Sequence, residues 1–403
     1  MRDSITFFYP SKAVGGAQYL IVRLAIEIAS KIRKKIYIID FNDGFIWNKV
    51  RNYDNIALIS YKEEEIVELP THTTLLIFPG HFSKIGREIS NQNDANIIVW
   101  FIQPYLLINL PKFKNLVRFF MRNRIKKIGK LLNGLSANSS LLFMDEENFT
   151  VNKEYFNLGI YPEYLPIPTD KKTVTYNKSK KRGFNIAWLG RVTSEKIESI
   201  KYVLNDIIRF NERNESSKIR FHIIGDGDLI DILSEISMKN PNTEVLFKGI
   251  LIGEKLIDYM FREIDCMFAM GTSALDAASY KIPTILLDYT SKKNILMNNN
   301  YRYKWIFDTK GFMLGIDLAF NTSTNELNLM DIVTHVSRDS INQIGEKCFL
   351  YVDEYHSVEN IGIKLNEYAD KSTFLVRNAT KFNIRHTFLI DSVLRLKKVF
   401  SRW

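Results

Sequence analysis

The first half of the chain alternates short apolar runs with longer stretches in which apolar residues recur at helical spacing. Ile5–Tyr9 is typical of a buried strand and leads into a loop with Gly15 and Gly16, after which Ala17 begins a helical pattern that runs to Ile28. Further buried strands are predicted at Ile36–Ile39, Ile56–Ile59, Leu75–Phe78 and Ile97–Phe101. Strands separated by longer connections predict a parallel sheet with helices on its faces.

The second half repeats this pattern after Tyr161–Arg182, a proline- and lysine-rich stretch that is typical of a linker. Its predicted strands are NIAWLG, IRFHIIGDG, EVLFKG, CMFAM and PTILLD, with helical stretches between them. This order predicts a second doubly wound α/β unit. We therefore expect an N-terminal domain over 1–168, a linker over 169–182, a second domain over 183–345, and helices over 346–403 that pack back on the first domain.

Composition supports a two-domain globular protein with an anionic partner. The 403 residues are 46% hydrophobic, which is enough for more than one core. The net charge of +10 favours a partner that carries phosphate: a nucleic acid, an anionic lipid surface or a nucleotide. The only cysteines, Cys266 and Cys348, favour a reducing compartment and do not resemble metal ligands.

Membrane association, if it occurs, is expected to be peripheral. The N-terminus MRDSITFFYP lacks the long apolar core of a signal peptide, and no window of about 18 uninterrupted apolar residues exists. Two basic amphipathic stretches, Lys112–Lys130 and the C-terminal FLIDSVLRLKKVFSRW, suit an anionic bilayer surface. In both, the alternative is that the apolar stripe packs in the protein core and the charges form a solvated face.

Candidate chemistry centres on NIAWLGRVTSEK. Here a buried strand ends at Gly190 and is followed by Arg191 and Lys196 ahead of a helix. Backbone N–H groups and fixed cations at such a place suit a diphosphate, although a solvated turn would have the same pattern. Gly15 and Gly16 would allow a ligand close to the first helix, but a tight turn also needs such residues.

Four motifs in this order resemble glycosyltransferase family four, whose members have the GT-B architecture. They are VGGAQ, LGRVTSEK, IIGDGD and MGTSALDAASYKIPTILLD, and the resemblance covers most of Ser4–Asp288. It implies an α/β fold of two Rossmann-like doubly wound parallel-sheet domains facing a cleft, with a C-terminal helical tail. It also implies a retaining enzyme that uses a nucleotide-sugar donor.

The resemblance assigns the donor site mainly to the second domain. It implies that Gly16 lies near the donor phosphate, that Arg191 and Lys196 bind the diphosphate, and that Gly249 lies near the base. It also implies phosphate contacts from Gly271, Thr272 and Ser273. The Asp-x-Asp pattern in GDGD is interpreted as a turn rather than a metal site, because GT-B enzymes do not usually need a divalent ion.

Two expected catalytic groups depart from the family pattern. Asp276 stands where the family has the second Glu of its Glu-x7-Glu pair, which faces the ribose, whereas Phe268 stands in place of the first. The usual histidine of the first domain is replaced by Gln103, and His81 is the other candidate for that role. Retaining transfer could then follow the front-face route, in which the leaving diphosphate accepts the acceptor's proton.

The resulting expectation is a transferase at the cytoplasmic face of a membrane. It would move sugar from a UDP- or GDP-linked donor to a glycan or lipid-linked acceptor in surface polysaccharide synthesis, without a metal cofactor. The alternatives are a non-catalytic GT-B subunit and a hydrolysing nucleotide-sugar epimerase. Nucleic acid is not expected as a partner, because the basic segments lack a recognised binding module.

Overall fold

The computed structural model describes residues 2–13, 15–90, 94–105, 107, 122–170, 172, 183–214, 216–293, 295–298, 300–319, 325–337 and 341–380. These residues form two compact units. The first unit contains the described residues up to Pro168 together with those from Val358 onward, and the second contains Thr169–Ser357.

The first unit is built on a six-stranded sheet in which every pairing is parallel, in the order β3-β2-β1-β4-β5-β6. Its strands are β1 Ser4–Phe8, β2 Lys35–Asp40, β3 Ile56–Ser60, β4 Thr73–Ile77, β5 Asn96–Phe101 and β6 Leu141–Phe143. All residues of β1, β4 and β5 are buried, as expected where helices cover both faces of a parallel sheet. In register, Ile5 lies opposite Ile36 on one side and Thr74 on the other.

Helices connect these strands, and two helices from the later part of the chain join them. They are α1 Gly16–Glu27, α2 Phe45–Val50, α3 Arg122–Ser136, α4 Glu146–Phe156, α12 Val358–Lys371 and α13 Val376–Thr380, with a π-helical turn at Ile28–Ile32 and a 3-10 helix at Pro79–Lys84. The return of α12 to the first unit is fixed by an ion pair of 2.7 Å between Lys34 and Asp370. In addition, the Thr74 hydroxyl donates to the Ala369 carbonyl.

The second unit has a six-stranded sheet in the order β12-β11-β10-β7-β8-β9. Its strands are β7 Phe184–Leu189, β8 Ile219–Ile224, β9 Val245–Gly249, β10 Cys266–Ala269, β11 Thr284–Leu286 and β12 Lys304–Trp305. All pairings are parallel except that of β12, which runs antiparallel to β11. The helices are α5 Ile197–Arg213, α6 Ile230–Met238, α7 Gly253–Glu263, α8 Thr272–Ser279, α9 Ile295–Asn298, α10 Leu329–Ser337 and α11 Ile341–His356, with a 3-10 helix at Ile306–Asp308.

The expected boundary at 345/346 differs from the observed division. Helix α11 belongs to the second unit, where it packs on α8 so closely that a Cβ added to Gly345 would lie 2.1 Å from the Lys281 carbonyl oxygen. The chain crosses to the first unit only at Ser357/Val358. Of the expected linker, 169–182, most lies outside the described residues, and Thr169 donates its N–H to the His356 carbonyl at 2.7 Å within the second unit.

The basic amphipathic stretch over 112–130 is described from Arg122 onward, where α3 begins. The apolar stripe of α3, which includes Ile128, Leu131 and Leu132, is buried in the core of the first unit. Its exposed side carries Lys126, Lys127 and Lys130. For this part of the stretch, therefore, the apolar residues serve the protein core, and only the charges face solvent. The C-terminal stretch from Phe388 to Trp403 lies outside the described residues.

The structure also bears on the two cysteines and on membrane-spanning helices. Both cysteines are free and buried. No helix among those described is long and apolar enough to cross a bilayer.

Candidate functional site

Three loops meet at the carboxyl end of the second sheet, where β7, β8 and β9 lie side by side. The Gly190 N–H donates to the Ile224 carbonyl at 3.0 Å, and the Gly225 N–H donates to the Gly249 carbonyl at 2.8 Å. The Val192 N–H donates to the Asp226 carbonyl at 3.0 Å. These bonds fix the loop after β7 against the loop after β8.

The close approach of these loops requires glycine at two positions. A Cβ added to Gly225 would lie 2.1 Å from the carbonyl oxygen of Gly190, and one added to Gly227 would lie 2.3 Å from that of Val192. Both glycines also have positive φ, +136° and +157°. The GDGD motif is therefore more than a turn into α6, because it sets the position of the backbone around Gly190.

Arg191 and Lys196 lie on the loop that this packing fixes. Arg191 is exposed, and Lys196 is half-buried at the N-terminus of α5, with its Nζ 6.0 Å from the centre of the Trp188 ring. Burial lowers the pKa of Lys196, the Arg191 guanidinium lowers it further, and Glu195 acts weakly in the opposite sense. Within the described ranges neither cation forms an ion pair. With Glu195 counted, the loop carries a net charge of +1, and its two cations have no ion-pair partner among the described residues, so an anion would be attracted here.

A cavity of about 410 Å³ lies against this loop, and it is lined by Arg191 but not by Lys196. Its lining combines the backbone of Gly190 and Gly225, the oppositely charged Arg191 and Asp226, and the apolar side chains of Ile250 and Leu251. Ile250 is 70% exposed, which is costly for a large apolar side chain in water. A ligand with a flat ring and an anionic tail would cover the two apolar side chains and reach Arg191.

The fourth neighbouring strand, β10, brings α8 to the same edge. Gly271 precedes α8 with φ +60°, and its N–H donates to the Leu314 carbonyl at 2.8 Å. Ser273 lies close to Gly190, because a Cβ added to Gly190 would be 3.7 Å from the Ser273 hydroxyl oxygen. Thr272 is exposed and Asp276 is half-buried. The structure thus places Gly190, Arg191, Lys196, Gly249 and the Gly271–Asp276 segment at one edge of one sheet.

The missing first acid has a structural reason. Phe268 is inside β10, fully buried, and its ring packs edge-on against Tyr303 at 5.3 Å between centroids. Only Met270 and Gly271 connect β10 to α8, so no loop exists there that could carry a solvent-facing carboxylate.

The other candidates lie in the first unit, at the carboxyl ends of β1, β4 and β5. Gly15 precedes α1 in extended backbone, where a Cβ would meet the Gln18 side chain at 2.8 Å, whereas a Cβ on Gly16 would meet nothing within 4 Å. Gly16 is thus open on that side, as the approach of a ligand requires. Gln103 is exposed two residues beyond β5.

His81 is held as a neutral imidazole in the 3-10 helix after β4. Burial lowers its pKa to about 4, and the nearby Lys84 adds to this. Its ring packs edge-on against Phe8 and Tyr9 at 5.3 and 5.1 Å. Its Nδ1 is buried without a hydrogen-bond partner in the part of the chain that the structure describes. Because this atom has no solvent access, a ligand would have to displace its neighbours to reach it.

The sequence interpretation missed a buried carboxylate that holds the loop after β1. Asp40 ends β2 and accepts N–H bonds from Ser11 at 2.9 Å, Phe41 at 2.9 Å and Trp47 at 3.1 Å. Burial nevertheless raises its pKa, and these bonds oppose the effect. Asp40 holds the loop that precedes Gly15, and its position after a predicted strand was the only sequence signal for this role.

Comparison with known proteins shows similarity at the level of the fold. No protein-family model matches the sequence, and no curated protein does. Two solved glycosyltransferases are similar at 12% identity and a TM-score of 0.53. The lipopolysaccharide outer core galactosyltransferase WaaB matches over 91% of this chain and 98% of its own, and a glycosyltransferase from Rickettsia africae matches over 92% and 98%.

The N-terminal domain of a trehalose-6-phosphate phosphatase from Candida albicans is similar to the same extent. Its TM-score is 0.54 at 11% identity, over 92% of this chain and 97% of the other. The predicted fold class is confirmed: two Rossmann-like units with mostly parallel six-stranded sheets make this a GT-B fold. At such low identities the comparisons establish the fold, and function must be argued from the site.

Proposed function

We propose that this protein is a retaining glycosyltransferase that moves a sugar from a UDP- or GDP-linked donor to a glycan or lipid-linked acceptor. The observation that carries the proposal is a pair of cations on one fixed loop, Arg191 and Lys196, that form no ion pair with any described residue, together with a cavity that Arg191 lines. Similarity to WaaB and to the Rickettsia africae protein supports the same class of reaction, since both are glycosyltransferases.

The chemistry of sugar transfer matches this site. When the bond between the sugar and the nucleotide breaks, negative charge develops on the departing diphosphate. Cations that are already in place lower the barrier, because no reorganisation is needed as the charge forms. Lys196 is partly desolvated, so its attraction to the leaving group is less screened than that of a surface lysine. We expect several kcal/mol of transition-state stabilisation from the two together.

The base and ribose would occupy the remainder of the cavity. The apolar side chains Ile250 and Leu251 would cover one face of the base, near Gly249. Asp276 would face the ribose, and the amides and hydroxyls of Thr272 and Ser273 would contact phosphate oxygens. No divalent ion is needed in this scheme, since the cations and the N-terminus of α8 neutralise the diphosphate.

Retention would follow from the front-face route. With Phe268 buried and Gln103 unable to shuttle a proton, the leaving phosphate itself would accept the acceptor's proton. His81, neutral at physiological pH, would contribute a hydrogen bond to a sugar hydroxyl rather than a charge.

The proposed location is the cytoplasmic face of a membrane, with lipid-linked glycan as acceptor. Lys126, Lys127 and Lys130 give α3 an exposed row of positive charge, which would contribute roughly 1 kcal/mol per cation near an anionic surface. Sedimentation with vesicles of phosphatidylglycerol tests this, because replacing the three lysines by glutamine should release the protein.

A transfer assay tests the proposed reaction. The protein is incubated with radiolabelled UDP- and GDP-sugars and lipid-linked acceptors, and Arg191→Ala should reduce the rate by roughly a hundredfold or more. Arg262→Ala is the matched control, because Arg262 is an exposed arginine paired with Asp258 on α7. Equal rates for the Arg191 variant and the control would contradict the assignment.

A second candidate is a non-catalytic GT-B subunit. The buried Phe268 in place of an acid and the exposed Gln103 in place of a histidine favour it. This candidate would be supported if the protein binds a nucleoside diphosphate, if Arg191→Ala weakens that binding, and if neither transfer to an acceptor nor release of free sugar is detected. Release of an epimerised sugar without acceptor would instead indicate an epimerase.

A further inference from the structure

A second cavity in the same unit lies at the opposite end of α5 from Lys196. Its volume is about 330 Å³, and its walls come from the C-terminal half of α5, the segment Asn300–Tyr303 and the start of α10. Helix α5 has 17 residues, so its two ends are about 25 Å apart. The second cavity is therefore separate from the proposed diphosphate site.

Three arginines line this cavity, and a single carboxylate accompanies them. They are Arg209, Arg213 and Arg302, and the carboxylate is Asp206, which pairs with Arg209 at 2.6 Å. Neither Arg213 nor Arg302 forms an ion pair with any residue that the structure describes. The cavity thus has an excess of two positive charges, and two guanidinium groups are available to a ligand.

The floor of the cavity uses its own hydrogen-bonding groups internally. The Tyr202 hydroxyl donates to the Tyr301 carbonyl at 2.8 Å, and the Tyr303 hydroxyl donates to Asp206 at 2.7 Å. Their rings pack edge-on or tilted against one another, at 5.5 to 6.1 Å between centroids. The tyrosine hydroxyls therefore already donate hydrogen bonds within the protein. The guanidinium groups of Arg213 and Arg302 are the donors that would bind a ligand.

We propose that this cavity is a binding site for a phosphoryl group carried by a small molecule or a lipid headgroup. A planar guanidinium donates two parallel hydrogen bonds to phosphate oxygens, and two free guanidinium groups match the charge of a phosphate dianion. The volume falls in the range of ligand pockets and would accommodate a group larger than phosphate alone, such as a glycerol or sugar unit attached to it.

Calorimetric titration of the full-length protein with inorganic phosphate and with glycerol 3-phosphate tests the proposal. The Arg213→Ala/Arg302→Ala variant should bind at least roughly tenfold more weakly than wild type, since each lost charge-assisted hydrogen bond has about that effect. Met330→Glu, which places an acid at the 48% exposed rim without removing an arginine, should weaken binding in the same direction. Arg262→Ala should bind as wild type does.

The outcome separates this site from the diphosphate site. The Arg213→Ala/Arg302→Ala variant should retain nucleoside diphosphate binding, and Arg191→Ala should retain glycerol 3-phosphate binding. Unchanged phosphate affinity in both cavity variants, or no phosphate binding by wild type, would overturn the proposal. Sedimentation with phosphatidic acid vesicles against phosphatidylcholine vesicles then distinguishes the sources. Binding to phosphatidic acid vesicles that is lost in the Arg213→Ala/Arg302→Ala variant indicates a lipid headgroup as the ligand. If wild type binds glycerol 3-phosphate but shows no such vesicle binding, the ligand is a soluble molecule.

Discussion

Gly225→Ala tests whether the close packing of the two loops holds the cations in place. The new methyl group would be 2.1 Å from the Gly190 carbonyl oxygen, far inside van der Waals contact. This obstacle is backbone, and Gly190 is itself held by the hydrogen bond of its N–H to Ile224. The loop after β7 must therefore move for alanine to fit.

The expected cost combines two terms. An alanine at φ +136° is strained by about 1–3 kcal/mol, and overpacking against a fixed neighbour adds about 1–3 kcal/mol. We expect the free energy of unfolding to fall by about 4 kcal/mol, from the sum of these terms. Gly249→Ala is the matched control, because Gly249 also has positive φ, +62°, but an added Cβ would meet nothing within 4 Å. It should cost only about 1–2 kcal/mol.

Guanidinium denaturation monitored by tryptophan fluorescence measures both costs, since Trp188 is buried beside Gly190 in the second unit. Nucleoside diphosphate binding should also be lost in Gly225→Ala even under conditions in which that variant remains folded. If Gly225→Ala and Gly249→Ala were destabilised equally, the clash would be absent and the argument from loop packing would be refuted.

Two further predictions concern buried side chains of the second unit. Burial, and to a smaller extent the nearby Lys248, lower the pKa of His222 to about 4 in the folded state. The unfolded state takes up the proton near pH 6.5, so about 3 kcal/mol of folding stability that is present above pH 6.5 is lost as the pH falls towards 4. In urea denaturation at several pH values, His222→Gln should flatten this dependence, and an unchanged slope would contradict it. Phe268→Glu should destabilise the protein by about 4 kcal/mol or more rather than increase transfer, because the carboxylate would be buried in the core. A well-folded, more active variant would show that position 268 reaches the donor.

The alternating strands and helices could be predicted because a parallel strand covered by helices on both faces is a continuous apolar run, which is visible in the sequence without knowledge of its neighbours. Runs such as Ile97–Phe101 are apolar on both faces, and β5 spans Asn96–Phe101. Strand β12 was not predicted, since Lys304–Trp305 has only two residues and depends on pairing with β11. The boundary after Ser357 was also missed, because α11 and α12 have similar amphipathic patterns and only tertiary packing assigns them to different units.

The candidate site was predictable in its charges and less so in its backbone. Arg191 and Lys196 were identified from their position after a strand. The importance of Gly225 and Gly227 was not, because it depends on the register of β8 against β7, which brings the two loops within contact distance. The roles assigned to these residues, including Arg191, Lys196, His81, Gln103 and Asp276, all stay predictions, to be tested by substitution.

Calorimetric titration with UDP and GDP tests the central claim most directly. Wild type should bind at least one of them, and Arg191→Ala and Lys196→Ala should each weaken that binding by roughly ten- to a hundredfold, as loss of a charge-assisted hydrogen bond implies. Binding of uridine or guanosine, which lack the diphosphate, should be unaffected by either substitution. Diphosphate affinity that is unchanged in both variants would contradict the claim that these two cations hold the leaving group.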